Sequence, residues 1–251
     1  MTLRTLEIAP GVDAEVVGGE MSALPLYWFL DTLSVGAPPG HAAHEARRGH
    51  TFGSSDETGD ELRFDTETRQ LASAFLTVPE RAGSWKEWAY LASVPNVLSG
   101  ALRLVAGEPF VLEPTDLRVF SADGSALVCL LERAVDSRPN ERLEVVAGLS
   151  LLCAEGVYCG WMLVDPVARL RRPEEDSSEP PAEAAVARVV PLLRRLFDLV
   201  NDDTMDDLFD ADPELRQRLV SLSADVAREM ESAPLRALGA KVDDLLDRWF
   251  E

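Results

Sequence analysis

The clearest pattern of hydrophobic and polar positions in the chain lies at residues 143–163, which read LEVVAGLSLLCAEGVYCGWML. Odd-numbered positions are apolar on both sides of the Ala-Glu-Gly segment at residues 154–156. An apolar period of two is typical of a β-strand with one buried face, and a short break that contains glycine is typical of a turn. The pattern therefore predicts a β-hairpin, which we place at the centre of the fold.

Other strand patterns occur in the first 170 residues. Residues 2–17 predict two short strands separated by Pro10-Gly11, and residues 62–78 predict two strands around a polar turn at residues 65–69. Residues 117–131 contain Asp123-Gly124, a strong hairpin signal because glycine adopts positive φ without strain. Residues 126–131 are apolar at odd and even positions, which predicts a central strand covered on both faces.

Three short helices are predicted between these strands. Residues 24–33 form a dense aromatic and aliphatic block in which Pro25 suits a first helical turn. Ser84 can cap a helix over residues 85–91, and a further helix follows Asn96 over residues 97–105. Residues 34–60 are rich in Gly, Pro, Ser, His and charge and have no apolar period, so they predict a long surface loop.

The last third of the chain has a different composition. Residues 171–181, RRPEEDSSEPP, have the acidic, Pro-rich composition of a linker. Residues 182–251 then predict three amphipathic helices, with Pro191 kinking the first and Asp212-Pro213 opening the second.

The predicted fold is α+β. A sheet domain at residues 1–170 is built of six to eight largely antiparallel strands with short flanking helices. It is followed by the linker and by a C-terminal helical segment that touches the sheet.

The charge balance narrows the classes of partner. The chain has 44 acidic and 24 basic residues, for a formal net charge of −20. So negative a surface repels phosphate backbones, which disfavours nucleic-acid binding. No apolar run is long enough to span a membrane, and the N-terminal residues lack the pattern of a signal peptide, so we expect a cytoplasmic protein. The basic residues are almost all Arg, a bias typical of GC-rich bacterial genomes.

The candidates for chemistry are few. His41, His44 and His50 lie close together beside Glu45, and neutral imidazoles with a carboxylate can bind zinc. Their order, H-x-x-H-E, matches no established zinc motif, so we favour solvated loop histidines and keep a metal site as the alternative. The three cysteines lie in apolar runs and are predicted to be reduced core thiols. No nucleophile elbow or phosphate-binding loop is present, so we assign no catalytic residue and no cofactor.

The acidic run at residues 201–212, NDDTMDDLFDAD, is the most suggestive segment for binding. It lacks the glycine and the final glutamate of a calcium-binding EF-hand loop. One interpretation is a helix connection with solvated carboxylates. The other is a docking site for a basic protein, formed by six residues. These are Met205, Asp206, Asp207, Leu208, Phe209 and Asp210.

We therefore predict a non-enzymatic, protein-binding module whose partner has a basic surface. The specific form of this hypothesis is an immunity or antitoxin-type inhibitor that covers a basic toxin. One alternative is a small-molecule-binding protein or enzyme with a pocket between the sheet and the helices, and with residues 34–60 as a lid. A second alternative is an assembly or secretion chaperone that holds its client through the helical segment.

Overall fold

A computed structural model describes residues 3–18, 21, 24, 26–30, 34–36, 51–54, 60–172, 183–229 and 231–250. These residues form helices and strands in an α+β arrangement, which confirms the predicted fold class. None of the helices within these ranges combines the length and the apolar character needed to cross a membrane. The His41, His44 and His50 candidates, and most of the predicted linker, lie outside the described residues.

Thirteen strands are present in the described ranges. Numbered along the chain, they are β1 (Leu3–Ala9), β2 (Val12–Gly18), β3 (Tyr27–Phe29), β4 (Ser34–Gly36), β5 (Thr51–Gly53), β6 (Glu61–Asp65), β7 (Leu71–Thr77), β8 (Asn96–Leu104), β9 (Leu117–Phe120), β10 (Ala126–Leu130), β11 (Glu141–Val146), β12 (Leu149–Ala154) and β13 (Val157–Val164). They confirm the predicted strand pairs at residues 2–17, 62–78 and 117–131. Every residue of β10 is buried, as its apolar pattern predicts.

The strands form two sheets, where the sequence predicts one. The larger has the order β1-β2-β8-β11-β12-β13-β10-β9 and includes two parallel pairings, β8 with β11 and β1 with β13. The second of these, through Glu7 and Val157, closes six of the strands into a ring. The smaller sheet has the order β3-β4-β7-β6-β5 and is antiparallel throughout. The sheet part of the fold is therefore partly a closed barrel rather than a simple series of hairpins.

The central stretch at residues 143–163 has one more turn than predicted. Strands β11 and β12 are joined at Ala147-Gly148, where Gly148 has φ of +81°, and β12 joins β13 at Glu155-Gly156. The apolar alternation also shifts in β13. Tyr158 packs in the same core cluster as Trp161, while Cys159 faces the opposite cluster. The shift follows from an irregular register at Cys153 and from Gly160, whose φ is +146°.

Two of the predicted helices are wrong. Residues 24–33 contain strand β3, with Trp28 and Phe29 buried, and residues 97–105 lie largely within the nine-residue strand β8. Both segments are apolar at odd and even positions, a pattern that fits a buried helix and a covered strand equally well. In β8 the partner strands β2 and β11 decide the outcome. The predicted loop at residues 34–60 also contains two strands, β4 at its start and β5 at Thr51–Gly53, and Ser34 and Asp60 are fully buried.

The helices in the described residues follow the prediction more closely. They are α1 (Trp85–Trp88), α2 (Ala134–Ser137), α3 (Glu183–Leu199), α4 (Met205–Phe209), α5 (Pro213–Ala227) and α6 (Ala233–Phe250), with 3-10 turns at Ala89–Ser93, Pro166–Arg169 and Asp202–Thr204. The C-terminal segment thus has four α-helices rather than three, because the acidic run forms the short helix α4. Asp212 caps α5 as predicted, and its carboxylate accepts a hydrogen bond from the Leu215 backbone N–H at 2.8 Å.

The buried apolar residues form two clusters on opposite faces of β10, β12 and β13. The larger, cluster 1, is shared by both sheets and helices α3, α5 and α6, and includes Trp28, Phe64 and Trp161. The smaller, cluster 2, lies beneath α1 and α2 and includes Trp88 and Met162. Because the C-terminal helices and the sheets bury their side chains in one shared cluster, the helices bring their ends close to the sheet edge at β9.

We expect Gly160→Ala to lower the free energy of unfolding by about 3 kcal/mol or more. A Cβ atom at this position would overlap the carbonyl oxygen of Cys129 and lie 2.9 Å from the Leu130 Cα, and the backbone has positive φ. Gly11→Ala is the matched control, because Gly11 also has positive φ but a Cβ atom there meets no other atom within 4 Å. Urea unfolding should show a loss of about 1 kcal/mol for the control. Equal losses for the two variants would contradict the close approach of β10 and β13.

Candidate functional site

The acidic run at residues 201–212 forms a compact connection between α3 and α5, which we call the acidic corner. Its start is held by a reciprocal cap: the Asn201 side chain accepts a hydrogen bond from the Asp203 N–H at 2.9 Å, and the Thr204 hydroxyl accepts one from the Asn201 N–H at 3.0 Å. Thr204 Oγ1 also donates to the Leu199 carbonyl at 2.9 Å. The acidic corner therefore has a defined backbone.

The apolar residues of the acidic corner face in different directions. Leu208 is only 1% exposed and belongs to cluster 1, and Met205 packs against that cluster. Phe209, in contrast, is 63% exposed, and its ring lies edge-on to Trp249 with 4.9 Å between centroids. Of the apolar residues predicted to bind a partner, Phe209 is therefore the one that is presented to solvent, while Leu208 and Met205 attach the corner to the core.

The carboxylates around Phe209 are exposed and have no ion-pair partner in the part of the chain that the structure describes. Five aspartates in the acidic corner are exposed, and none of them forms an ion pair with a residue in the described ranges. They are Asp202, Asp203, Asp206, Asp207 and Asp210. From Asp198 to Glu214 the chain has eight acidic residues and no basic one. The acidic corner thus combines an exposed aromatic ring with concentrated negative charge that the described residues do not balance.

A pocket of about 250 Å³ lies nearby, between strand β9, helix α1 and the end of α3. The residues that line it are Ala82, Gly83, Ser84, Trp85, Arg118, Phe120, Arg194, Phe197, Asp198 and Asn201. Arg118 is the deepest charged group, since it is 2% exposed. The pocket lies between the sheet and the helices, which is the position that the alternative of a small-molecule-binding protein or enzyme requires.

Arg118 links β9 to the end of α3. Its Nη2 donates to the carbonyl oxygens of Phe197 and Val200, at 3.3 and 2.6 Å, and its Nη1 donates to the Pro79 carbonyl at 3.0 Å. The guanidinium also lies 4.4 Å from the centre of the Phe197 ring. Burial lowers the pKa of Arg118 to about 10, so the side chain remains charged at neutral pH.

A second buried ionisable group, Asp60, lies just before β6. Its Oδ1 accepts a hydrogen bond from the Thr77 N–H at 2.7 Å, whereas its Oδ2 has no hydrogen-bond partner. The Trp161 indole N–H lies close enough to lower the pKa of the carboxyl, but not with standard hydrogen-bond geometry. Burial outweighs these interactions and raises the pKa of Asp60 to about 7. This carboxyl therefore titrates near neutral pH inside the core.

The cysteines lie in the core, as the sequence predicts. Cys129, Cys153 and Cys159 are buried free thiols. Cys153 belongs to cluster 1 and Cys159 to cluster 2, so these two side chains face opposite sides of the sheet. Burial raises the pKa of Cys153 to about 12, which leaves it a poor nucleophile at neutral pH. In the part of the chain that the structure describes, no three His, Cys, Asp or Glu side chains are close enough to hold a metal ion.

Sequence reasoning missed Arg118 and Asp60. The one sign of Arg118 is a charged residue inside the apolar strand of a hairpin, within LRVF. Asp60 carries no such sign, because it follows a polar segment and looks like any exposed loop carboxylate. Its burial depends on Thr77 and Trp161, which are distant in sequence.

Replacing Asp60 by Asn should change how stability depends on pH. The folded-state pKa of about 7 lies above the ordinary aspartate pKa of 3.8. The protonated carboxyl therefore stabilises the fold fully below pH 3.8, and this contribution is lost as pH rises to about 7. From pH 5 to pH 8 the wild type should lose about 3 kcal/mol of unfolding free energy relative to Asp60→Asn, which cannot ionise. Urea unfolding of both proteins at the two pH values measures this difference.

Asp123→Asn is the control for this measurement. Hydrogen bonds from Ser125 and Ser121 lower the pKa of Asp123 to about 2, so its titration lies well below pH 5. The difference between this control and the wild type should therefore be the same at pH 5 and pH 8. A pH-independent difference for Asp60→Asn as well would show that Asp60 is ionised throughout this range.

Comparison with known proteins gives no match: no protein-family model, no curated protein and no solved structure is similar to the chain. The function therefore has to be inferred from its own residues.

Proposed function

We propose that this chain is a protein-binding module that docks a basic protein surface through its acidic corner. The observation that supports the proposal is Phe209, an aromatic side chain that is 63% exposed among five carboxylates that form no ion pair with a described residue. A large exposed aromatic residue is a typical anchor of a protein interface. Its Trp249 neighbour holds the ring from one side, so little side-chain entropy is lost when a partner covers the other.

The carboxylates would act mainly on the rate of association. The net charge of −20 attracts a basic surface over long range, and the acidic corner concentrates that charge around the anchor. Charge complementarity raises association rates and selects partners, while buried apolar contacts slow dissociation. In this proposal the aspartates guide the partner and Phe209 retains it.

The specific form that we propose is an inhibitor of the immunity or antitoxin type. Enzymes that cleave nucleic acids have basic surfaces, because they must neutralise phosphates. An acidic protein can cover such a surface by presenting carboxylates where the phosphates would bind. The rigid backbone of the acidic corner supports this role, since a preformed surface avoids the entropy cost of ordering on binding.

The double substitution Asp206→Lys/Asp207→Lys should lower the association rate with the basic partner by about tenfold at low salt. The dissociation rate should change less, because both side chains are exposed. Phe209→Ala should have the opposite profile, raising the dissociation rate about tenfold or more with little effect on association. Surface plasmon resonance at two salt concentrations, with a partner captured by the full chain from its own cell extract, measures both rates.

The matched control is Glu67→Lys/Glu108→Lys, which changes the net charge equally at exposed positions outside the acidic corner. It should slow association only slightly. An equal effect of the two double variants would show that total charge, not the acidic corner, attracts the partner. A captured partner without a basic surface, or one without nuclease activity that the chain inhibits, would contradict the inhibitor proposal.

A further inference from the structure

The pocket beside Arg118 adjoins the acidic corner at Asn201 but has a different chemical character. Arg118 is 2% exposed, and no carboxylate of the described residues forms an ion pair with it. Its three hydrogen bonds all go to neutral backbone carbonyl oxygens. We propose that the pocket is a binding site for a small organic carboxylate that carries a flat apolar group.

The Arg118 guanidinium forms no ion pair with a described residue, which indicates that the ligand is negatively charged. A guanidinium has five N–H donors, of which three are used here, and the Arg118 Nε has no partner among the described residues. The carboxylates of Glu80, Asp198 and Asp202 influence it only from a longer range. A buried charge without a direct ion pair is costly, and a ligand carboxylate would form one with Arg118.

The rim of the pocket is consistent with an anion. Arg194 is exposed, and its Nη1 donates to the Ala122 carbonyl at 3.2 Å, which keeps a second positive charge near the opening. Asp198 also lines the pocket, so the three charged lining residues have one net positive charge.

Aromatic walls specify the shape of the ligand. Phe120 and Phe197 meet edge-to-face with 5.7 Å between ring centroids, and half-buried Trp85 lies on the side of α1. Flat apolar groups pack well against such rings. The volume of about 250 Å³ lies below the roughly 300–1,000 Å³ of sites for drug-sized ligands, so the ligand has to be small.

Benzoate and benzamide form a matched pair of probes, because they have nearly the same shape and differ in charge. In a two-dimensional NMR titration of the full chain, benzoate should shift the Trp85 indole signal and the backbone signals of Gly83 and Asn201, with a dissociation constant on the order of 1 mM. The affinity for benzamide should be lower by about tenfold or more, because benzamide is uncharged and cannot form an ion pair with Arg118. Equal affinity of the two probes, benzoate-induced shifts centred elsewhere, or no shifts at all would overturn the proposal.

Substitutions on the pocket wall test the two parts of the proposal separately. Arg194→Gln should weaken benzoate binding about threefold and leave benzamide unchanged, whereas Trp85→Ala should weaken both about fivefold. Both residues are at least partly exposed, so these variants should fold normally. Arg218→Gln removes the same charge from an exposed site on α5 and should have no effect on either probe.

Arg118→Gln should abolish the preference for benzoate over benzamide. Arg118 also holds the end of α3. The affinities of this variant for the two probes are therefore compared only if its NMR spectrum retains the native pattern. If it unfolds, Arg194→Gln and Trp85→Ala decide the outcome. Benzoate binding that Arg194→Gln and Trp85→Ala leave unchanged would overturn the assignment of this pocket.

Discussion

Strand β13 has to bury both of its faces, and most of the structure depends on that requirement. Tyr158 and Trp161 belong to cluster 1, while Cys159 and Met162 belong to cluster 2. Neither cluster can be shielded by a single sheet, so the smaller sheet and the C-terminal helices cover the first, and α1 and α2 cover the second. Gly160 makes this arrangement possible because, without a side chain, the backbone of β10 can approach β13 closely. The strand order, the position of α3 and the pocket at the edge of β9 follow from this double coverage.

The features that the sequence predicts correctly are those with a local physical cause. Pro10-Gly11 and Asp123-Gly124 favour their turns whatever surrounds them, and Asp212 caps α5 through the next turn of the same helix. The strand conformation of β8 has no such local cause. Its apolar residues specify burial, but the choice between helix and strand depends on β2, which lies about 85 residues earlier, and on β11, which lies about 45 residues later. The closure of the ring and the second sheet could not be predicted for the same reason.

The candidate sites also combine features with a local cause in the sequence and features that depend on residues distant in the sequence. The composition of residues 201–212 identifies a charged segment, but only the packed structure shows that Leu208 faces inward and that Phe209 lies against Trp249. Arg118 and Asp60 are recognisable only from their distant partners. Arg118 also connects two features that the sequence separates widely, because it lines the pocket and donates hydrogen bonds to the carbonyls at the end of α3. The acidic corner begins at the residue after Val200, so the same guanidinium that forms the pocket also positions the start of the proposed docking surface.

The ring of strands closes between Glu7 and Val157, about 150 residues apart, and this has a consequence for synthesis. On a ribosome that adds roughly 5–20 residues per second, β1 waits on the order of ten seconds for its second neighbour. During that time the outer edge of β1 is open and can pair with other nascent chains. One face of the hairpin is charged, with Glu7 on β1 and Asp13 and Glu15 on β2. We expect these residues to protect the β1–β2 hairpin from aggregation until the strand that completes the barrel has emerged.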